Sequence, residues 1–428
     1  MSRRIEDIRV ALVSPPQGFL SNPIMAEPLG LMYIEGVLER LGVSVEMVDM
    51  SVDSRLPEAD IYGFSASTIH FSQAVKYAKL AGGAYTMIGG PHASSLPEEA
   101  KKFFDAVVVG PGENAVAKIL AGYLKNKGGI YKEPASDINS IPIPPRTILK
   151  RMTYRVSHDL SKSASIISSR GCPYECAFCS SNTVWGRQVS YRSVENVVEE
   201  IRYLMDRFGI KSFKFVDDVF TLDKDRFRLF LKAFAPLGIR WQCETRVDAV
   251  SDEILDQMAT SGCTYIDLGI ESVSDIVLDK IRKGQDLAKM ENAIERIRSK
   301  GLKVKVYIIY CLPFEPEDIV QRTIDFINRA RPDHVSLFTF VPYPGSDIWN
   351  NPVRYNVKRI ITDFDLYQHS VGGLEKELSW LPTVEYFDRS RERMRDERNI
   401  LKKFSIEWNR RQWTSQAGSR QEMALLQE

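Results

Sequence analysis

Short apolar runs alternate with helical stretches twice along this chain, and nothing else in the sequence restricts its fold as much. In the first series the runs are IRVALVSPP (8–16), VSVEMVDM (43–50), DIYGFSAST (60–68), AYTMIGGPH (84–92) and AVVVGPGE (106–113). Between them, LGLMYIEGVLERLG (29–42) carries apolar residues at helical spacing and stops at Gly42, and QAVKYAKLAGG (73–83) reads as a second helix. Such alternation predicts a parallel, doubly wound sheet. Glycines and small residues gather just after the strands, at 63–68, 89–92 and 110–113. Ligands of these folds lie beyond the carboxyl ends of the strands, so these loops are candidate ligand contacts; as plain βα turns they would need no ligand.

The proline-rich NSIPIPPRTIL (139–149) interrupts the series and reads as an extended linker. A second series follows. Its strand candidates are ASIISSRG (164–171), KSFKFVDD (211–218), RWQCETRVD (240–248), TYIDLGIES (264–272), KVKVYIIYCLP (303–313) and HVSLFTFVPYPG (334–345). SVENVVEEIRYLMDRFG places Val194, Val197, Ile201, Leu204 and Phe208 on one helical face, with Ser193 as N-cap and Gly209 as the stop. Six βα units in succession predict a parallel barrel, complete or partial, with its chemistry at the carboxyl ends of the strands. The Arg-dense FDRSRERMRDERNILKKFSIEWNRRQW (387–413) reads as an amphipathic helix packed on the barrel; a surface for an anionic ligand is the weaker alternative, because acidic residues are mixed in.

With 428 residues there is room for two or three full cores. A formal charge of +1 draws the molecule neither to nucleic acid nor to an anionic membrane. The N-terminal apolar run is short and broken by Pro15 and Pro16, unlike a signal peptide, and no run is long enough to span a bilayer. Six cysteines without an export signal predict cytoplasmic, reduced thiols or metal ligands rather than a disulfide framework.

Three of the six stand together in RGCPYECAFCSSN, at Cys172, Cys176 and Cys179, just after the first strand of the second series. A zinc site asks for a fourth ligand, and Cys243, Cys263, Cys311 and five histidines offer none at finger-like spacing. Three thiols on a polar loop are poor core filler. An iron–sulfur cubane takes one ligand per iron, so three cysteines would leave one iron open.

The Cys172-x-x-x-Cys176-x-x-Cys179 pattern, with Phe178 before the last cysteine, resembles the signature of the radical S-adenosylmethionine (radical SAM) superfamily. SRGCPYECAFC resembles its branch with an N-terminal cobalamin-binding domain, and the resemblance spans about residues 8–350. It implies that the three cysteines hold a 4Fe–4S cluster whose open iron binds SAM, and that SAM is cleaved to methionine and a 5′-deoxyadenosyl radical. It implies further contacts to SAM from Phe178, Asp217, Asp218, Arg246 and Glu271. A loop or helix-cap role competes at the two aspartates, and a structural ion pair competes at Arg246. YCLPFEPED departs from the family's glycine-rich G-x-P-G-E turn, with Cys311 and Phe314 where glycines are usual.

The SPPQG, FSAST, GGPHAS and VVGPGEN stretches resemble cobalamin-contacting loops, which implies roles for Ser65, Ser67, Thr68, Gly89, Gly90, Gly110, Gly112 and Glu113. The D-x-H-x-x-G stretch that ligates cobalt in other cobalamin proteins has no counterpart here, and His92 reads as a loop-structuring residue. The expected fold is α/β. A Rossmann-like cobalamin-binding domain (1–135), a linker (136–160), a partial (β/α)6 barrel (161–350) and a helical, Arg-rich extension (351–428) follow one another.

The resemblance implies cobalamin-dependent methylation of an unactivated carbon in a small-molecule or natural-product-type substrate, with a flavodoxin- or ferredoxin-type electron donor and with neither membrane nor nucleic acid as partner. Two alternatives stand beside it: a radical SAM cyclase, oxidoreductase or rearrangement enzyme without cobalamin methyl transfer, and a non-catalytic iron–sulfur redox protein. No catalytic residue is singled out.

Overall fold

The computed structural model describes residues 4–16, 23–159, 161–249, 251–370 and 379–416. β1 (Arg9–Ser14), β2 (Ser44–Asp49), β3 (Ile61–Ser65), β4 (Tyr85–Gly89), β5 (Ala106–Val108) and β6 (Gly129–Tyr131) make one parallel sheet in the order β2-β1-β3-β4-β5-β6. Helices cover both of its faces, so β1 reads as a continuous apolar run. Val10 and Leu12 enter one core, and Ala11 and Val13 enter the other. The predicted helices form over Leu29–Arg40 and Phe71–Leu80. β6 escaped the sequence reading because three residues at a sheet edge are too few to show a period.

Past the linker, β7 (Ser163–Ile166) leads into β8 (Ser169–Arg170), which pairs antiparallel with β9 (Ser190–Tyr191). The cysteine stretch is thus a long excursion pinched at its base by a two-residue ladder. β10 (Ser212–Phe215), β11 (Arg240–Thr245), β12 (Cys263–Glu271), β13 (Lys303–Tyr310) and β14 (His334–Thr339) join β7 in a second sheet, parallel throughout and ordered β14-β13-β12-β11-β10-β7. β7 and β14 are its two ends, so the barrel is partial. Helix Val194–Phe208 forms as predicted: Ser193 Oγ accepts from Asn196 N–H at 3.1 Å, and Val197, Ile201 and Leu204 are buried.

β15 (Val357–Ile360) and β16 (Val384–Tyr386) form a small antiparallel pair. The Arg-rich segment is a helix, Arg391–Gln416, that packs on the free edge of β14. Met394, Leu401 and Trp408 are buried. Asn409 completes the edge strand's hydrogen bonding by accepting from Val335 N–H and donating to Val335 C=O, both at 2.9 Å. The last twelve residues of the expected extension and the Gln17–Gly18 end of SPPQG lie outside the described residues.

The turn after β13 keeps a glycine-like backbone without glycines. Cys311 has φ 68° and Phe314 φ 65°, both in the left-handed region. Bonds from outside hold it there: Tyr386 OH donates to Cys311 C=O at 2.7 Å, and Cys311 N–H donates to Glu315 at 3.2 Å. Glu315 in turn pairs with Arg389 at 2.6 Å. Burial pushes the Glu315 carboxyl up to about 7 despite Arg389. A raised carboxyl favours the fold below the unfolded value and loses that advantage as pH rises through 7, a swing on the order of 3 kcal/mol. Chemical denaturation of Glu315→Gln should therefore show a flatter stability profile between pH 5 and 8 than the parent. Parallel profiles would remove Glu315 from the account.

The two sheets are joined by buried charge. Arg146, from the linker, pairs with Glu27 beside the first sheet at 3.2 Å and with Glu200 on the barrel's first long helix at 2.6 Å; all three side chains are fully buried. Glu200 also pairs with Arg192 at 2.6 Å, and Arg192 donates to Tyr33 OH at 3.1 Å. Glu27 accepts from Ser165 N–H of β7 at 2.5 Å.

Candidate active site

Cys172, Cys176 and Cys179 open into a cavity of about 630 Å³ at the carboxyl mouth of the barrel. Gly171 starts their loop at φ 97°, where a Cβ would collide with the Gln188 carbonyl oxygen, so the pinch at β8–β9 requires glycine. Ala177 N–H donates to Ile281 C=O at 2.8 Å, and Ile348 N–H donates to Ala177 C=O at 3.0 Å. The middle of the loop is thereby tied to the segments following β12 and β14. All three thiols are free, Cys179 exposed and the others half-buried.

Among the described residues, no three His, Cys, Asp or Glu side chains converge closely enough to chelate one ion. A cubane, which takes each thiolate on a separate iron, suits thiols spread around one cavity. Burial pushes the Cys172 and Cys176 thiols up, a cost that ligation to cationic iron reverses. Phe178 lines the same cavity and packs against the core behind it.

Across the cavity, β12 ends in a bulge between Gly269 and Glu271, and Glu271 takes φ 63°. This strained backbone turns the carboxylate to the cavity, where Lys283 Nζ meets Oε1 at 2.8 Å. A Cβ on Gly269 would collide with that carboxylate. Lys283 is nearly buried and lines the cavity, yet it follows a short helix in an unpatterned loop that gave no sequence signal. Arg246 is also nearly buried. Its guanidinium lies 3.8 Å from the Tyr174 ring centroid and 3.2 Å from Asp248, so its ion pair is with its own loop and not with a barrel carboxylate.

Asp218 lines the cavity; Asp217 does not. Successive residues leaving β10 point to opposite sides, and Asp217 turns away to accept from Ser168 N–H at 3.1 Å, Ser168 Oγ at 2.8 Å and Ser169 Oγ at 2.5 Å. Its expected contact with SAM gives way to a role bracing the β7–β8 break.

The lumen side is polar in a way the sequence reading missed. Asp267 of β12 accepts from His158 Nε2 at 2.8 Å and Tyr307 OH at 3.0 Å, and lies 3.6 Å from Lys214, which also pairs with Glu244 at 3.0 Å. Burial opposes ionisation of Asp267, but His158 and Lys214 hold its carboxyl far below the usual range. The signal lay at alternate positions of KSFKF, WQCET, YIDLG and KVYII, where polar side chains interrupt apolar strands and face inward.

A second cavity, of about 210 Å³, lies at the strand ends of the first sheet, beside the β1/β3 reversal of strand order. Ser65, Gly89, Gly90, Gly110, Gly112 and Glu113 line it. Ser67 lines a neighbouring cavity of about 240 Å³, whereas Thr68 is buried against His92, 3.4 Å from its Nδ1, and lines none of these three. His92 is wholly buried and stacked on Phe71 at 3.8 Å, as a loop-structuring histidine should be. Gly63 makes the floor of this cavity tight: a Cβ there would stand 2.7 Å from Met87 and 2.9 Å from Leu12. In its wall, Glu113 Oε2 and Arg170 Nε are buried without hydrogen-bond partners. A ligand fringed with amides supplies both a donor and an acceptor to such atoms, and cobalamin is one.

The profile of the Radical SAM superfamily matches residues 166–327, and that of the B12 binding domain matches residues 25–120. The chain therefore carries a radical SAM domain preceded by a B12-binding domain. It is accordingly a radical SAM enzyme, and the cofactors of its two domains are a 4Fe–4S cluster with SAM and cobalamin.

Among its relatives, an uncharacterized methyltransferase of Pyrococcus horikoshii is 29% identical over 389 residues, covering 82% of this chain and 84% of that one. The hopanoid C-3 methylase of Methylococcus capsulatus is 29% identical over 381 residues, covering 81% and 72%. In fold the chain is similar to the radical SAM methyltransferase TsrM of Kitasatospora setae, solved with cobalamin and a 4Fe–4S cluster. That likeness has a TM-score of 0.63 at 17% identity, over 81% of this chain and 74% of that one. No helix among the described residues is long and apolar enough to cross a membrane.

Proposed function

We propose that this enzyme methylates an unactivated carbon of a small, natural-product-type substrate, with residues 1–135 as its cobalamin domain and 161–350 as its radical SAM barrel. One observation carries the reading: the thiol-lined cavity of the barrel and the cavity of the first sheet abut, with Pro91, Val184 and Trp185 lining both. The cluster supplies an electron to SAM, and cobalamin supplies a methyl carrier. In this reading Cys172, Cys176 and Cys179 hold the cluster and Phe178 shields it. Glu271 and Asp218 take hydrogen bonds from SAM's hydroxyl and ammonium groups, while Lys283 and Arg246 stand ready for its carboxylate. Ser65, Ser67, Gly89, Gly90, Gly110, Gly112 and Glu113 face the corrinoid. The apolar belt of Ile309, Phe338 and Phe340 keeps water from the carbon to be attacked.

The names of the relatives support a small substrate, as does the TsrM structure solved with tryptophan and a SAM analogue. A flavodoxin- or ferredoxin-type protein is the proposed electron donor. The deciding experiment incubates anaerobically reconstituted protein with dithionite, hydroxocobalamin, methyl-labelled SAM and cell extract. A labelled small molecule together with 5′-deoxyadenosine is expected. Deoxyadenosine without label transfer favours a cyclase or oxidoreductase, and neither product removes both enzyme readings. Within the same system, Glu271→Ala should weaken SAM binding about 10- to 100-fold, read from the SAM-induced change in the cluster's EPR signal, because a buried charged partner is lost. A wild-type titration curve would take Glu271 out of the SAM site.

A further inference from the structure

The four-residue helix Asn182–Trp185 sits between the first domain and the loop after β14. On one side it packs against Pro91–Ser95 of the first domain, and a Cβ on Gly110 would come 3.5 Å from the Val184 carbonyl oxygen. On the other side it fits against the loop after β14, where Gly345 leaves room for Thr183; a side chain at Gly345 would collide with it. Among the barrel's described residues, Val184 and Trp185 alone line both the thiol-lined cavity and the first-sheet cavity, and Trp185 follows the last cluster cysteine by only six positions.

The indole is not loose. Arg170 lies between aromatic rings, its guanidinium 4.4 Å from the Trp185 centroid and 5.1 Å from that of Tyr33 in the first domain. The same guanidinium pairs with Glu113 at 2.8 Å, both side chains more than nine-tenths buried. Glu113 still has Oε2 unpartnered, and Arg170 still has Nε unpartnered, in the wall of the first-sheet cavity. A carboxylate, a guanidinium and two rings from both domains are therefore gathered in one cluster, with Trp185 lining both chambers. Its two unpaired polar atoms, one acceptor and one donor, are what an amide-bearing ligand satisfies.

We infer that Trp185 is a positioning residue for the corrinoid: its indole is the wall on which the macrocycle seats at the boundary with the barrel chamber, and the Arg170–Glu113 pair fixes that ring's place. This rests on the proposed cobalamin-dependent function. The edge of a broad, largely apolar macrocycle is matched by a large rigid ring, and the unpaired oxygen of Glu113 accepts from a peripheral amide of the same ligand. The barrel thus supplies part of the cobalamin site, from the very loop that carries the cysteines.

The test uses the full chain with its cluster reconstituted and hydroxocobalamin as probe, with affinity read by equilibrium dialysis and by the corrinoid's absorbance shift on binding. Trp185→Ala should bind hydroxocobalamin about tenfold or more weakly, from loss of an aromatic contact. Trp185→Phe, which keeps a ring, should recover most of the affinity, and Arg170→Met should fall between. Iron content and the EPR response to SAM should stay at the parent level in the Phe variant. Equal affinity in the parent and Trp185→Ala overturns the assignment, as does equal loss in the Ala and Phe variants. If the parent itself binds no hydroxocobalamin, the proposed cobalamin-dependent function fails instead, so the two failures are distinct. Should Trp185→Ala misfold by circular dichroism, the ranking of Phe against Met decides: Trp185→Phe binding no better than Arg170→Met also overturns it.

Discussion

Replacing Cys172, Cys176 or Cys179 singly by Ala should abolish a SAM-responsive cluster while leaving the fold in place. Each thiol lines the mouth of the cavity and none is part of the buried core, so the truncations remove little packing. What they remove is one of three corners, and a cubane with two protein ligands and an open side does not persist in water. The expected readouts are loss of the iron–sulfur absorbance after reconstitution, no change in EPR on adding SAM, and no 5′-deoxyadenosine. Circular dichroism should match the parent. The buried thiols of Cys243 and Cys263 provide the contrast: burial pushes both up, and they line neither large cavity. Cys263→Ala should retain the cluster. A cluster that survives loss of Cys176 would overturn the ligand assignment.

The second large effect lies away from the chemistry. Arg146→Ala should destabilise the protein by about 3–5 kcal/mol, the cost of leaving buried carboxylates without their counter-charge. Glu27 loses its cationic partner outright, whereas Glu200 keeps Arg192. Burial already pushes the Glu27 carboxyl up while Arg146 opposes it; removing the guanidinium would leave that carboxyl protonated or the site flooded. Arg146→Lys keeps the charge but not the fork that reaches Glu27, Glu200 and the Ser165 carbonyl together, so it should recover only part of the loss. Urea denaturation measures both. An Arg146→Ala midpoint equal to that of the parent would mean the cluster contributes nothing to holding the two sheets together.

Much of the architecture was legible because it depends on local pattern. The buried β1 shows a continuous apolar run, helix Val194–Phe208 shows a capped amphipathic period, and the cysteine spacing survives without its surroundings. What the sequence hid depends on where strands end and what they meet. Asp217 and Asp218 are indistinguishable as letters, yet the pleat sends one to the cavity and the other to Ser168. Lys283 enters the site only because β12 bulges and Glu271 turns left-handed to meet it. Cys311 and Phe314 looked like a loss of the glycine turn, but the backbone there is glycine-like and is braced from β16 and the Arg389–Glu315 pair. Thr68 stands just past Ser65, the end of β3, and faces His92 instead of the cavity.

The charge cluster at the seam also sets a timetable for synthesis. Glu27 and Arg146 are separated by 119 positions, and Arg146 and Glu200 by a further 54. At about 5–20 residues per second, Glu27 is made roughly 6–24 seconds before the Arg146 that will pair with it. During that interval Glu27 has no buried partner and stays in water, so the nascent first domain holds its future interface open. Closure of that seam waits for the linker and the first barrel helix.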